Sequence, residues 1–136
     1  MNEPVEAFLR LRVGSEDAHY GTIAAGAFVM EVFGDLATEL TVRRDGDEGL
    51  LRAYEKVEFL APVRPGDFLE CRARIIREGR TSRTFEAEAR KIITTRQDIG
   101  ESAADVLDEP VVVARAIGTT VVGADFQRKR AVREAP

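Results

Sequence analysis

Apolar and polar residues alternate from Val5 to Val13, with Val5, Ala7, Leu9, Leu11 and Val13 on one face and Glu6, Arg10 and Arg12 on the other. That period of two predicts a half-buried strand. Residues 14–21, GSEDAHYG, interrupt it with a polar, glycine-bearing loop,. The period then changes. Phe28, Val29, Val32, Phe33, Leu36 and Leu40 recur at helical spacing and predict a helix from about Ala24 to Leu40, too apolar to be a surface helix,. The same helix carries Glu31, Asp35 and Glu39. At about 100° per residue, Glu39 falls inside the apolar sector and Asp35 at its edge, where a carboxylate costs stability unless paired, hydrated or useful.

After the helix the pattern returns to strands. Residues 43–49, RRDGDEG, predict a polar loop,. Leu50 to Leu60 reads as a strand with Leu51, Ala53, Val57 and Phe59 on one face and Tyr54 and Glu58 on the other. The run APVRPGD, 61–67, is a turn, because prolines do not sit in a ladder,. Phe68 to Arg77 and Thr81 to Thr95 read as two long strands joined by a hairpin around Gly79. Residues 96–109 are acidic and irregular, with a short helix expected at Ser102 to Leu107. Val111 to Val122 is almost continuously apolar or small and predicts a central strand covered on both faces,. The order is strand, helix, four strands. An antiparallel sheet curled around one long apolar helix satisfies it: an α+β, hotdog-type arrangement in one domain spanning 1–136, with a basic tail at about 124–136.

Composition narrows the function. At 136 residues and 44% apolar, the chain can bury a real core unaided,. A net charge of -4 gives no electrostatic case for nucleic acid,. The cluster Arg128, Lys129, Arg130 and Arg133 reads as a solvated end,. One cysteine, Cys71, cannot form an intrachain disulfide, which fits a reducing cytoplasm, and it reads as a small buried hydrophobe,. With one histidine and one cysteine there is no expected metal site,. Neither a secretory signal nor a membrane-length apolar run is read.

Several motifs together carry a family resemblance. VEFLAPVRPGDFLE resembles the strand-turn-strand segment of hotdog thioesterases and hydratases, and HYGTIAAGA with FGDLATEL resembles the loop and helix of hotdog acyl-CoA thioesterases. More narrowly, SEDAHYG, FGDLATEL, DGDEGLLRAYEKVEFLAPV, GDF and SAADVLDEPVVVARA are similar to the 3-aminobutyryl-CoA and beta-alanyl-CoA ammonia-lyases, from about Leu11 to Lys129. Ordinary hotdog thioesterases lack the SAADVLDEP segment. The chain departs from the lyases at GTIAAGA, which the resemblance implies lines the acyl pocket. The resemblance implies a hotdog fold and reversible elimination of ammonia from a 3-aminoacyl-CoA, as from (3S)-3-aminobutyryl-CoA to crotonyl-CoA in lysine fermentation. It implies no cofactor beyond the coenzyme A of the substrate, and a homodimer assembled into a hexamer. A hotdog acyl-CoA thioesterase is the alternative, and a non-catalytic acyl-CoA-binding module the second alternative.

Such an elimination needs a base at the carbon beside the thioester, a proton for the departing amine, and N–H donors for the charged thioester oxygen. Asp17 and His19 are candidates for base, acid or ammonium binding; Asp17 can equally cap a turn and His19 can be a satisfied, partly buried side chain. Tyr20 can donate a hydrogen bond or pack. Asp35 matches the helix acid of the thioesterases, and Glu39 lies one turn on; one of them can serve as base or bind the substrate ammonium, with Asp35 placed as catalytic and Glu39 as substrate-binding, or both can form a solvated stripe with Glu31,. The resemblance raises Glu58 as a catalytic candidate, against an exposed sheet face. The beginning of the helix supplies unpaired amides, which Gly21 and Gly26 would let a thioester approach. Arg80, Arg83, Lys91 and the 128–130 run could meet the coenzyme A phosphates, with Arg83 chosen among them.

Overall fold

The computed structural model describes residues 5–20, 23–24 and 26–128, with side chains for 5–17 and 26–128. Five long strands and one long helix dominate: β1 (Glu6–Arg12), α1 (Gly26–Asp45), and the strands Leu50–Phe59, Phe68–Glu78, Ser82–Thr95 and Ala104–Val121. Two short strands, β2 (Ala18–Tyr20) and β3 (Ile23–Ala24), pair with each other before α1. Numbering continues in chain order, so the four strands after the helix are β4 to β7. The sheet order is β1-β5-β6-β7-β4, and the pairs β1–β5, β5–β6, β6–β7 and β7–β4 are all antiparallel.

The sheet closes over α1. Val29, Val32, Phe33, Leu36, Ala37 and Leu40 of the helix form one buried cluster with Ala7, Leu69, Cys71, Ala73, Phe85, Ala87, Ala89, Ala114 and Ala116 of the strands. The row Ala7–Ala73–Ala87–Ala116 crosses four strands in register. Alanines there let the helix lie close to the sheet while larger residues on either side fill the remaining space.

Four expectations are corrected. The helix runs five residues past Leu40: Arg43 and Arg44 belong to its last turn, and Asp45 ends it buried. The stop comes at Gly46, whose φ of 73° favours glycine and whose N–H donates to the Val42 carbonyl at 2.9 Å,. The helix expected at Ser102 to Leu107 is instead the start of β7, because Ala104, Asp105 and Val106 pair with Thr95, Thr94 and Ile93. Tertiary pairing overrides the local pattern. Nor is β7 the centre, covered on both faces: β6 is the middle strand, and Arg115 of β7 is exposed.

The fourth correction concerns β4. Tyr54 and Glu58 do not share a face. The register shifts between Tyr54 and Lys56, so parity changes along the strand,. Tyr54 therefore stacks edge-on against Phe85 at 6.0 Å on the core side. Glu58 lies opposite Arg115, which itself bonds Glu88 on the outer face.

Candidate active site

The turn after β1 is built by Asp17. The Gly14 N–H donates to Asp17 Oδ2 at 3.0 Å, and the Asp17 N–H donates back to the Gly14 carbonyl at 3.2 Å. This is the turn-capping role that the residue type favours. The Asp17 side chain stays half-buried. His19 and Tyr20 follow on β2, but their side chains, and Gly21 entirely, lie outside the described residues.

Gly26 opens α1. A side chain there would meet the Phe59 ring of β4 at 3.1 Å, so the glycine lets that strand end press against the helix start,. The first turn of α1 holds no acidic residue. Its free amides and positive dipole end are therefore not neutralised by a carboxylate of that turn.

Asp35 is exposed, and no cation pairs with it among the described residues. Glu39 is half-buried and accepts from Arg43 Nε at 2.7 Å. Thus the helix wheel ordered the two acids correctly, with Glu39 nearer the core. Glu58 is half-buried and lies 3.6 Å from Lys56 Nζ. Glu39 and Glu58 both line an open hollow of about 890 Å³, together with Arg43, Lys56, Glu88 and Arg115. A smaller hollow of about 360 Å³ sits against Val13, Gly14 and Ser15. Neither includes Asp17 or Asp35. Within one protomer, then, the structure brings Glu39 and Glu58 to a common hollow and leaves Asp17 and Asp35 apart from it.

Arg83 is not at a phosphate site. Its side chain is 1% exposed, with Nε donating to Asp45 Oδ2 at 3.0 Å and Nη2 to Asp45 Oδ1 at 2.9 Å. Nη1 donates to the Gly79 and Ser82 carbonyls. This guanidinium bolts the end of α1 to the β5–β6 hairpin. Lys91 is likewise withdrawn: its Nζ lies 3.3 Å from the buried Asp67. Asp67 also accepts the Arg64 and Thr95 N–H groups at 2.8 and 3.0 Å. Sequence reasoning missed both anchors. Their signal was strand parity, since Arg83 and Lys91 share a face with Phe85, Ala87 and Ala89. Arg80 remains exposed at the hairpin tip.

Two further groups constrain the chemistry. Burial pushes the Cys71 thiol up to about 12, so it is a poor nucleophile,. Burial also raises the Tyr54 phenol, whose oxygen finds no hydrogen-bond partner among the described residues. Among those residues, no three His, Cys, Asp or Glu side chains are grouped to hold a metal, and no helix is long and apolar enough to cross a membrane.

One helix wrapped by a five-stranded antiparallel sheet, with candidate acids on the helix, defines a hotdog protein, and residues 18–95 match the thioesterase superfamily. Within that superfamily the chain belongs to the family of the 3-aminobutyryl-CoA ammonia lyase of Acetoanaerobium sticklandii, a carbon–nitrogen lyase; it is 51% identical to that protein over 92% of this chain and 100% of the relative. Among solved structures it is similar to the beta-alanyl-CoA:ammonia lyase of Clostridium propionicum, at 34% identity and a TM-score of 0.87, covering 90% of this chain and 88% of that one. A hexameric hotdog fold thioesterase of Campylobacter jejuni shares the fold at 20% identity and a TM-score of 0.71, covering 93% and 88%.

Proposed function

We propose that the chain reversibly eliminates ammonia from (3S)-3-aminobutyryl-CoA to give crotonyl-CoA. The observation that carries the geometry is the start of α1, which holds no acid in its first turn and is packed through Gly26 against β4. The thioester oxygen rests against those amides. A base removes a proton from the carbon next to the thioester carbonyl. The electron pair left there forms the carbon–carbon double bond as the bond from carbon 3 to nitrogen breaks, and the nitrogen leaves with its electrons and, when not already ammonium, a proton.

Asp35 is the base in this reading, because it is exposed and has no cationic partner among the described residues, while Glu39 is engaged by Arg43. Asp17 and His19 belong to the adjoining loop and serve the amine; Tyr20 and Gly21 help seat the substrate. Glu39 and Glu58 stay as neighbours of the substrate, and Glu58 reaches it only if another protomer brings the outer face of β4 to the site. A second copy pairing along β4 brings the Asp35 face of one helix to the loop of its partner. Three such dimers form a hexamer, and the enzyme works in the cytoplasm on products of amino-acid fermentation. The second reading, acyl-CoA hydrolysis with Asp35 activating water, is favoured by the thioesterase fold.

The test supplies 3-aminobutyryl-CoA and records enoyl absorbance alongside free thiol. Enoyl product with no thiol is expected. Thiol release without enoyl product indicates hydrolysis, and no reaction with this substrate removes the proposal. Asp35→Asn should lower turnover at least about a hundredfold if Asp35 carries the proton; near-normal turnover would remove it from that role.

A further inference from the structure

The strand β7 outruns its neighbour. Its partner β4 covers it only from Ala114 to Val121, whereas Ala104 to Val112 pairs with β6 alone among the described residues. Along this arm the register moves from Val111↔Lys91 to Val106↔Ile93, so β7 spends five residues (111 − 106) where β6 spends two (93 − 91). The excess makes Leu107, Asp108, Glu109 and Pro110 bulge outward. This is the SAADVLDEP segment, to which the elimination proposed above assigns no part.

The arm is firmly built. Arg96 holds Asp98 at 2.9 Å and Asp105 at 2.7 Å, and its N–H donates to the Ala103 carbonyl at 2.8 Å. It is also exposed, and its charge is only partly compensated. Val106 is 77% exposed, and Ile99 is exposed near the tip. Residues 97–110 hold Asp98, Glu101, Asp105, Asp108 and Glu109 and no cation; with the whole chain at -4, the remainder carries -4 − (−5) = +1. Glu101, Asp108 and Glu109 have no cationic partner among the described residues, although most outer-face charges do, as in Arg74–Glu86, Arg90–Glu88 and Arg115–Glu88. A bulge and a proline stop this edge from adding a strand, so contact must run through side chains.

The complement lies on the opposite edge of the same fold. On β1 and β5 the guanidiniums of Arg12 and Arg72 lie over Phe68 and Phe8, with no carboxylate paired to either among the described residues. Phe8 is 51% exposed. We propose that the acidic β7 arm of one copy docks on the Arg12–Arg72–Phe8 face of β1 and β5 in a second copy. Because two different surfaces meet, the contact is head-to-tail, and a closed ring of dimers follows when the rotation closes. The contact is separate from pairing along β4 and does not rest on the catalytic reading.

The test is the assembly of the full chain followed by native mass spectrometry and light scattering across concentration and salt. Wild type should exceed a dimer, and its half-dissociation concentration should rise with salt. Asp108→Lys with Glu109→Lys should raise that concentration at least about tenfold, and Arg12→Glu with Arg72→Glu should do the same. Combining all four should restore most of the loss, since the charges are exchanged. A wild type that never exceeds a dimer, unchanged assembly in either charge-reversed pair, or no recovery in the combination overturns the proposal.

Discussion

At the scale of single residues, buried charges do more structural than chemical service here. Asp45 is fully buried, and two of its oxygens accept from Arg83. Removing one partner strands the other charge in the interior, which typically costs about 3–5 kcal/mol. Asp45→Asn should lose that much in a urea titration; a loss under about 1 kcal/mol would show the pair to be solvent-like. Glu88 tests the exposed side of the same principle. Burial works to raise its carboxyl, but hydrogen bonds from Arg90 and Arg115 outweigh burial and hold it below the usual carboxylate range. A carboxylate lowered by folding adds stability above its unfolded pKa, about 4.3, and loses it as pH falls through the lower folded value. Wild type should therefore melt above Glu88→Gln at neutral pH, with the gap closing below about pH 4; a gap constant with pH contradicts the assignment. What was legible at this scale was placement: the turn-capping reading of Asp17 and the wheel positions of Asp35 and Glu39 followed from residue type and a period of 3.6,. Arg83 was misread because its partner lies 38 positions away in sequence, a distance that no local pattern spans.

At the scale of elements, the pattern of apolar positions located four of the five long strands within a residue or two, because one face of each must meet the helix, but placed the start of β7 at Val111 where it begins at Ala104,. It failed where a neighbour decides the outcome. The start of β7 is an extended segment only because β6 is there to pair with it, and the parity of β4 changes only because the ladder slips at Tyr54. Gly118 marks the same region: an added side chain would lie 2.8 Å from the Phe85 ring and 2.9 Å from the Tyr54 ring. Gly118→Ala should cost about 1–3 kcal/mol by overpacking, read as a lower denaturation midpoint with an unchanged m-value. Unaltered stability would mean the two rings have room to retreat.

At the scale of the molecule, the two hollows of one protomer take in Glu39 and Glu58 but neither Asp17 nor Asp35. Asp35 is exposed on the helix, and Asp17 caps a turn; the function proposed above needs a second copy to bring the two surfaces together. The fold itself was readable because strand, helix and four strands admit few other packings, whereas the choice between elimination and hydrolysis rests on relatedness to an ammonia lyase over nearly the whole chain. Cysteine chemistry has no place in either: Cys71 is buried with its thiol at about 12. Native protein at pH 8 should resist iodoacetamide while unfolded protein reacts readily, and fast native labelling would show an opening that the core does not provide.

The most direct measurement runs the reaction backwards. Crotonyl-CoA and ¹⁵N-ammonium are incubated with the protein, and the thioester is analysed by mass spectrometry beside a thiol assay. The account predicts an intact coenzyme A thioester carrying one labelled nitrogen and no free thiol above the enzyme-free control; free coenzyme A with no labelled adduct contradicts it.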